Sequence, residues 1–150
     1  MYALRTLSPD SDGARLYARW IETLWGELPL CRWLRGNIAV STGGLPYACG
    51  AYVRNRELVA GAALLRDDME DRPEWNPWLG CLIVRDDYRR QGLAGLLVAD
   101  VIARARALGF DELYLFCKIA LEPLYLAHTF ARVELREYEG RDSVVMRRAL

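Results

Sequence analysis

Residues 78–117 read as strand, turn, helix and strand with no interruption, and no other stretch limits the fold as tightly. "WLGCLIV" carries no charge along its whole length, the pattern of a strand covered on both faces. After the polar "RDDYRRQG" comes a run in which Leu93, Leu97, Val101, Ala105 and Leu108 recur at helical spacing, which predicts a helix from about Gln91 to Leu108 with Gly109 placed to end it. "DELYLFC" then reads as a second strand. Such a unit needs a crossover, so its two strands are expected to be parallel neighbours.

The remaining segments favour antiparallel pairing. "YALRTL" reads as a first strand, and Leu16, Trp20, Ile21, Leu24 and Trp25 then mark a helix that Ser8 or Asp10 is placed to cap. "CRWLRGNIAVSTGGLP" holds a second short helix before a glycine-rich break. "YACGAYVRN" and "ELVAGAALLRD" form a hairpin about Arg54, Asn55 and Arg56, and "DDMEDRPEWNP" is an acidic loop. "EPLYLAHTF" is a short helix entered through Pro123, and "RVELREY" and "SVVMRRAL" close the chain as a strand pair around Gly140 and Arg141. The expected fold is mixed α/β (α+β): a twisted, mostly antiparallel sheet of six to seven strands with one parallel pair, and about four helices, in a single domain over residues 1–150.

Composition narrows the function. With 150 residues, 53% of them hydrophobic, the chain has material for one core. Twenty basic residues balance twenty acidic ones, so the overall field draws neither nucleic acid nor an anionic membrane. The N-terminus turns polar within ten residues, unlike a signal peptide, and no run approaches the ~18 apolar residues of a membrane helix. Cys31, Cys49, Cys81 and Cys117 lie far apart with no C-x-x-C pair, as expected of free thiols in a reducing cytoplasm. His128 is the only histidine, so no His-pair metal site can be built, and the absence of a G-x-S-x-G elbow lowers any hydrolase reading.

The turn "DDYRRQGLAG" joins a buried strand to a helix start. There, unpaired N–H groups and glycines suit an anion, above all a diphosphate, with Arg89 and Arg90 adding charge. Equally, Gly92 and Gly95 could serve close packing of helix on sheet. The P-loop pattern is absent, and G-x-G-x-x-G fails because Ala94 follows Leu93. A G-x-x-G clamp of the RNA-binding KH kind joins two helices, whereas an apolar strand precedes this one.

"LIVRDDYRRQGLAGLL" resembles motif A of the GNAT superfamily of N-acetyltransferases, R/Q-x-x-G-x-G/A, with Arg89, Gly92 and Ala94 in its three fixed positions. "PWLGCLIV" is similar to that family's fourth strand, and "LYLFCKIALEPLYLAHTF" to its fifth strand and following helix; the likeness covers the whole chain, in the N-terminal half mainly as element order. The resemblance implies a GNAT-like fold whose fourth and fifth strands splay apart, and acetyl-CoA as cosubstrate with no metal. The pyrophosphate would lie on Arg89, Arg90, Gln91, Gly92, Leu93, Ala94 and Gly95, and the pantetheine arm along the main chain of Leu82, Ile83 and Val84. It further implies direct acetyl transfer to a primary amine of a small molecule or peptide in a ternary complex, with a homodimer left open. The alternative on the same fold is a non-catalytic acyl-CoA sensor.

In that reading Tyr125 is the general acid that protonates the leaving thiolate. "LGCLIV" lacks the strand glutamate that some members use as base, which leaves Asp68 and Glu74 of the acidic loop as candidates. Trp75 and Trp78, with that loop's carboxylates, offer either a box for a cationic amine or a solvated turn with Trp78 in the core. Three departures stand out. Thr129 replaces the glycine expected before Phe130, so a different turn geometry is expected. Arg90 replaces a loop glycine, and Cys117 and Lys118 replace a polar pair. Cys117 reads as a packed thiol more readily than as an acyl-carrying nucleophile.

Overall fold

A computed structural model describes residues 2–37 and 43–150. Seven strands form one sheet: β1 (Tyr2–Thr6), β2 (Tyr47–Val53), β3 (Glu57–Leu65), β4 (Trp78–Val84), β5 (Glu112–Lys118), β6 (Ala131–Tyr138) and β7 (Arg141–Ala149). Their spatial order is β1-β2-β3-β4-β5-β7-β6, and every neighbouring pair is antiparallel except β4 with β5. The helices are α1 (Asp12–Trp25), α2 (Pro29–Leu34), α3 (Leu93–Ala107) and α4 (Glu122–Leu126). The expected mixed fold, with its parallel pair and four helices, is the fold observed. The glycine-rich stretch after α2 falls partly on residues 38–42, outside the described residues.

The sheet separates two apolar layers. Under α3 and α4 lie Leu93, Leu97, Val101 and Tyr125 with Leu79, Leu115, Cys117 and Met146. Under α1 and α2 lie Tyr17, Ile21, Leu30 and Leu34 with Trp78, Tyr114 and Val145. Strand side chains alternate between these faces, so consecutive residues of β5 and β7 belong to opposite layers. Trp78, fully buried, anchors the second layer, and burying a large apolar side chain contributes about 1.5–3 kcal/mol.

Local chemistry sets the helix ends. Ser11, rather than Ser8 or Asp10, caps α1: its hydroxyl oxygen accepts the Ala14 N–H at 3.2 Å. Ser8 instead offers its carbonyl to the Ser11 hydroxyl at 2.6 Å, and Asp10 takes a left-handed φ of 69° one residue too early to cap. Helix α3 starts at Leu93, two residues after the expected Gln91, because Gly92 occupies the left-handed region at φ 82° and so cannot be a helical residue. At its far end Gly109 is left-handed at φ 88°, and the Phe110 N–H reaches back to the Ala105 carbonyl, as the sequence implied.

Candidate active site

The parallel pair is barely a pair. Trp78 opposite Tyr114 is the single register match between β4 and β5; beyond it the strands diverge. Two features drive them apart. A bulge in β4 sets Cys81 and Leu82 against one residue of β3, with Cys81 at φ 54°, and a bulge bends its strand and sharpens the twist. The Tyr17 hydroxyl, wholly buried, donates to the Cys81 carbonyl at 2.6 Å and holds the bulge from the α1 side. Along the edge turned towards β5, the main chain of β4 from Leu79 to Val84 is left without a strand partner.

The gap opens into a cavity of about 430 Å³ that passes through the sheet. Leu79, Leu82, Cys117 and Tyr125 line it from the α3–α4 layer. Cys81, Phe116 and Tyr138 line it from the α1–α2 layer, with Leu24, Trp25 and Leu28 at the end of α1. Asp68, Lys118, Glu139 and Arg141 complete the wall on that second side.

Tyr125 is 4% exposed, its ring edge-on to Phe130 at 6.0 Å. Its hydroxyl has no hydrogen-bond partner among the described residues, and the residue lines the cavity. Burial pushes its pKa well above the ordinary phenol value, and nearby Cys117 adds to the shift, so it stays protonated at neutral pH. Helix α4 ends in a tight turn in which the His128 and Phe130 N–H groups both reach the Tyr125 carbonyl, at 3.0 and 3.1 Å. Thr129 takes φ 69° there, the conformation a glycine would supply, so the different turn geometry expected from the sequence is not found. The threonine adopts the left-handed backbone instead, a local strain of order 1 kcal/mol or more.

Asp68 follows β3 in the acidic loop, which is fastened to the far edge of the sheet. The Arg136 guanidinium pairs with both Asp71 oxygens at 3.0 and 2.6 Å, Arg72 reaches Glu134 at 3.0 Å, and the Glu70 N–H donates to the Tyr138 hydroxyl at 3.1 Å. The Arg136 pairing holds the Asp71 carboxyl below its usual pKa. Asp68 has no such partner among the described residues. Burial, and then the negative charge of Glu139, raise its pKa to about 7. Its carboxylate approaches the β4 backbone at Gly80, where a Cβ would come within 2.9 Å of Oδ2. Any side chain at position 80 would displace it.

Other loop residues are placed elsewhere. Glu74 is exposed and outside the cavity wall. Trp75 stacks on Tyr114 at 5.3 Å with Arg72 over its face, and Trp78 is in the core, so neither lines the cavity. The aromatic wall comes instead from Trp25, Phe116 and Tyr138, which the sequence reading missed. One signal was present: a glycine inside an apolar strand, here Gly80, marks a close approach, and Asp68 is what approaches.

At the other end of the β4 gap, Asp86–Tyr88 makes a 3-10 turn before α3. Gly92 precedes α3 with no side-chain cap, and the N–H groups of Gln91 to Gly95 have no backbone acceptor among the described residues; the first helical bond is from Leu96 to the Gly92 carbonyl at 3.2 Å. A Cβ at Gly92 would meet nothing within 4 Å, so close packing does not account for this glycine. A Cβ at Gly95 would lie 3.4 Å from the His128 imidazole. Arg90 is exposed at φ 63°, while Arg89 donates to the Val84 carbonyl at 3.2 Å and pairs with Asp86 at 2.9 Å. Gln91 accepts a hydrogen bond from the Tyr2 hydroxyl. Leu82, Ile83 and Val84, half-buried, connect this turn to the cavity. A backbone cradle for an anion and an unpaired strand edge thus lead continuously to Tyr125 and Asp68.

Comparison with known proteins agrees with the fold. The family model described as "Acetyltransferase (GNAT) family" matches residues 14–128. A GNAT-family acetyltransferase from Streptococcus pneumoniae superposes with a TM-score of 0.76 at 18% identity, over 100% of this chain and 99% of that one. A putative GNAT acetyltransferase from Desulfovibrio desulfuricans gives 0.76 at 16% identity over 99% of both chains. Arabidopsis thaliana NAA60, solved with a bisubstrate analogue, gives 0.71 at 17% identity over 100% of this chain and 99% of that one. No curated protein matches the sequence.

Proposed function

Because the chain belongs to the GNAT acetyltransferase family, we propose that residues 1–150 form one domain that moves the acetyl group of acetyl-CoA to a primary amine by direct transfer. One observation carries this reading: the cavity crosses the sheet with a protonated phenol, Tyr125, on one side and a carboxyl of pKa about 7, Asp68, on the other. Two reactants entering from opposite faces meet at the gap between β4 and β5.

Acetyl-CoA, when bound, supplies the thioester. The free N–H groups at the start of α3, with Arg90, hold its pyrophosphate, and Arg89, tied to Val84, fixes the turn that presents them. The unpaired β4 edge at Leu82, Ile83 and Val84 offers main-chain groups to the pantetheine amides, which satisfies both. On the opposite face Asp68 takes the proton of the incoming ammonium, and its raised pKa matches a base to neutral pH. Glu74 lies outside the cavity wall, so Asp68 is the preferred base. As the N–C bond forms and the C–S bond breaks, Tyr125 gives its proton to sulfur, and the proton shed by the new amide nitrogen replaces it through water. Cys117 takes no part: burial pushes its pKa up to about 11, so its thiol is a poor nucleophile near pH 7.

The test is thiol release from acetyl-CoA in the presence of amines, on the wild type and on Tyr125→Phe. The variant keeps the ring and loses the donor, so kcat is expected to fall on the order of 10²-fold with little change in the KM for acetyl-CoA. Tight acetyl-CoA binding without turnover of any amine would support the sensor alternative instead.

A further inference from the structure

The acceptor side of the cavity carries charges of both signs, and they are not paired with one another. Asp68 and Glu139 supply two carboxylates, Lys118 and Arg141 two cations. None of the four has a salt-bridge partner among the described residues. Nearby, Asp71, Arg72, Glu134 and Arg136 are all committed to each other. The contrast is local: acids and bases just outside the cavity neutralise one another, and those on its wall do not.

The register explains why. Lys118 sits opposite Ser143, and Tyr138 opposite Arg141, so these side chains share the sheet face of Phe116 and Val145. Asp68 reaches the same face from the other side of the gap, over Gly80. Asp68, on the loop after β3, thus lies across the space an acceptor fills from Lys118 on β5 and Arg141 on β7. Glu139 sits beside Arg141 in the turn before β7, and Lys118, Glu139 and Arg141 are exposed. The third wall is apolar and partly open to solvent: Leu24 and Trp25, at the end of α1, are 54% and 43% exposed.

We propose, resting on the acetyltransferase reading, that the acceptor is a zwitterion: an α-amino acid with an apolar side chain. Its ammonium faces Asp68, its carboxylate is taken by Arg141, and its side chain covers Leu24 and Trp25. Arginine suits the carboxylate because its planar fork makes two parallel charge-assisted hydrogen bonds. A polyamine would bring further positive charge towards Lys118 and Arg141, and a simple amine would make no use of Arg141.

The experiment compares L-phenylalanine and L-leucine with phenethylamine, isoamylamine, L-phenylalaninamide and spermidine. It measures acetyl transfer and, separately, binding by calorimetry, for the wild type and Arg141→Gln. The expected result is a kcat/KM for the amino acids at least tenfold above that for the carboxylate-free amines, and a ratio near one in Arg141→Gln, through a raised KM for the amino acids only. Equal or better transfer to the amines, the amide or spermidine overturns the proposal and leaves the transferase reading intact. If no compound is acetylated but L-phenylalanine binds in an Arg141-dependent way, the zwitterion site stands and the transferase reading falls. Neither transfer nor binding of the amino acids overturns it.

Discussion

At the scale of single residues, Asp68 has the environment that most needs a role. A carboxyl ordinarily titrates near ~3.9, and its folded-state pKa is about 7. Between those values the folded protein holds a proton that the unfolded chain has released. Asp68 therefore costs stability progressively as pH rises through this window, and the full cost is present above pH 7. Asp68→Asn removes the charge at constant shape. The variant is expected to be more resistant to urea than the wild type at pH 8, with the difference shrinking towards pH 4. Acetyl transfer should rise with pH through an apparent pKa near 7 in the wild type, and that limb should vanish in the variant with a rate lower by 10²-fold or more. A limb that persists in Asp68→Asn would assign the titration to another group. The tyrosine was legible from its place in "EPLYLAHTF", and Asp68 was one of two carboxyls the loop offered. Glu74 was not separable from it by sequence, because the distinction depends on Gly80, which lies on another strand and lets only Asp68 approach.

At the scale of elements, the strand, turn and helix of residues 78–107 were read nearly as they stand, since a buried strand and an apolar helical stripe leave periodic signals in the chain. The bulge at Cys81 left none, because it is a backbone state held by a tertiary contact, the Tyr17 hydroxyl. At Thr129 the missing glycine was visible, but not that the threonine would take the left-handed backbone in the local turn around the Tyr125 carbonyl. The wall of Leu24, Trp25, Tyr138 and Arg141 was also invisible, because it assembles segments more than a hundred residues apart. The N-terminus of α3 carries the prediction for this scale. Gly92→Glu meets no neighbour, so it costs only the strain of a left-handed side chain, about 1 kcal/mol, and the fold should survive. The new carboxylate would sit among the N–H groups and repel a pyrophosphate. Calorimetry should find acetyl-CoA binding abolished in a variant whose circular dichroism is unchanged; full affinity would remove the anion cradle from the account.

At the scale of the whole molecule, the sheet is a partition that opens between β4 and β5. Each antiparallel pair is matched at five or more positions, and the parallel pair at one, so this weak seam is where the two layers communicate. The parallel pair follows from the crossover that the sequence made plain; its opening was implied only by the family resemblance and is set by the bulge at Cys81. The proposed function rests on what each layer puts at the seam: Tyr125 from under α3 and α4, and Asp68 with the unpaired charges from under α1. The proposed direct transfer brings two substrates together at this seam and needs no covalent carrier. Initial rates measured while acetyl-CoA and an amine are varied together test this directly. Direct transfer predicts double-reciprocal lines that intersect, with the pattern unchanged in Cys117→Ala. Parallel lines, or an acetyl group trapped on Cys117 in the absence of amine, would contradict it.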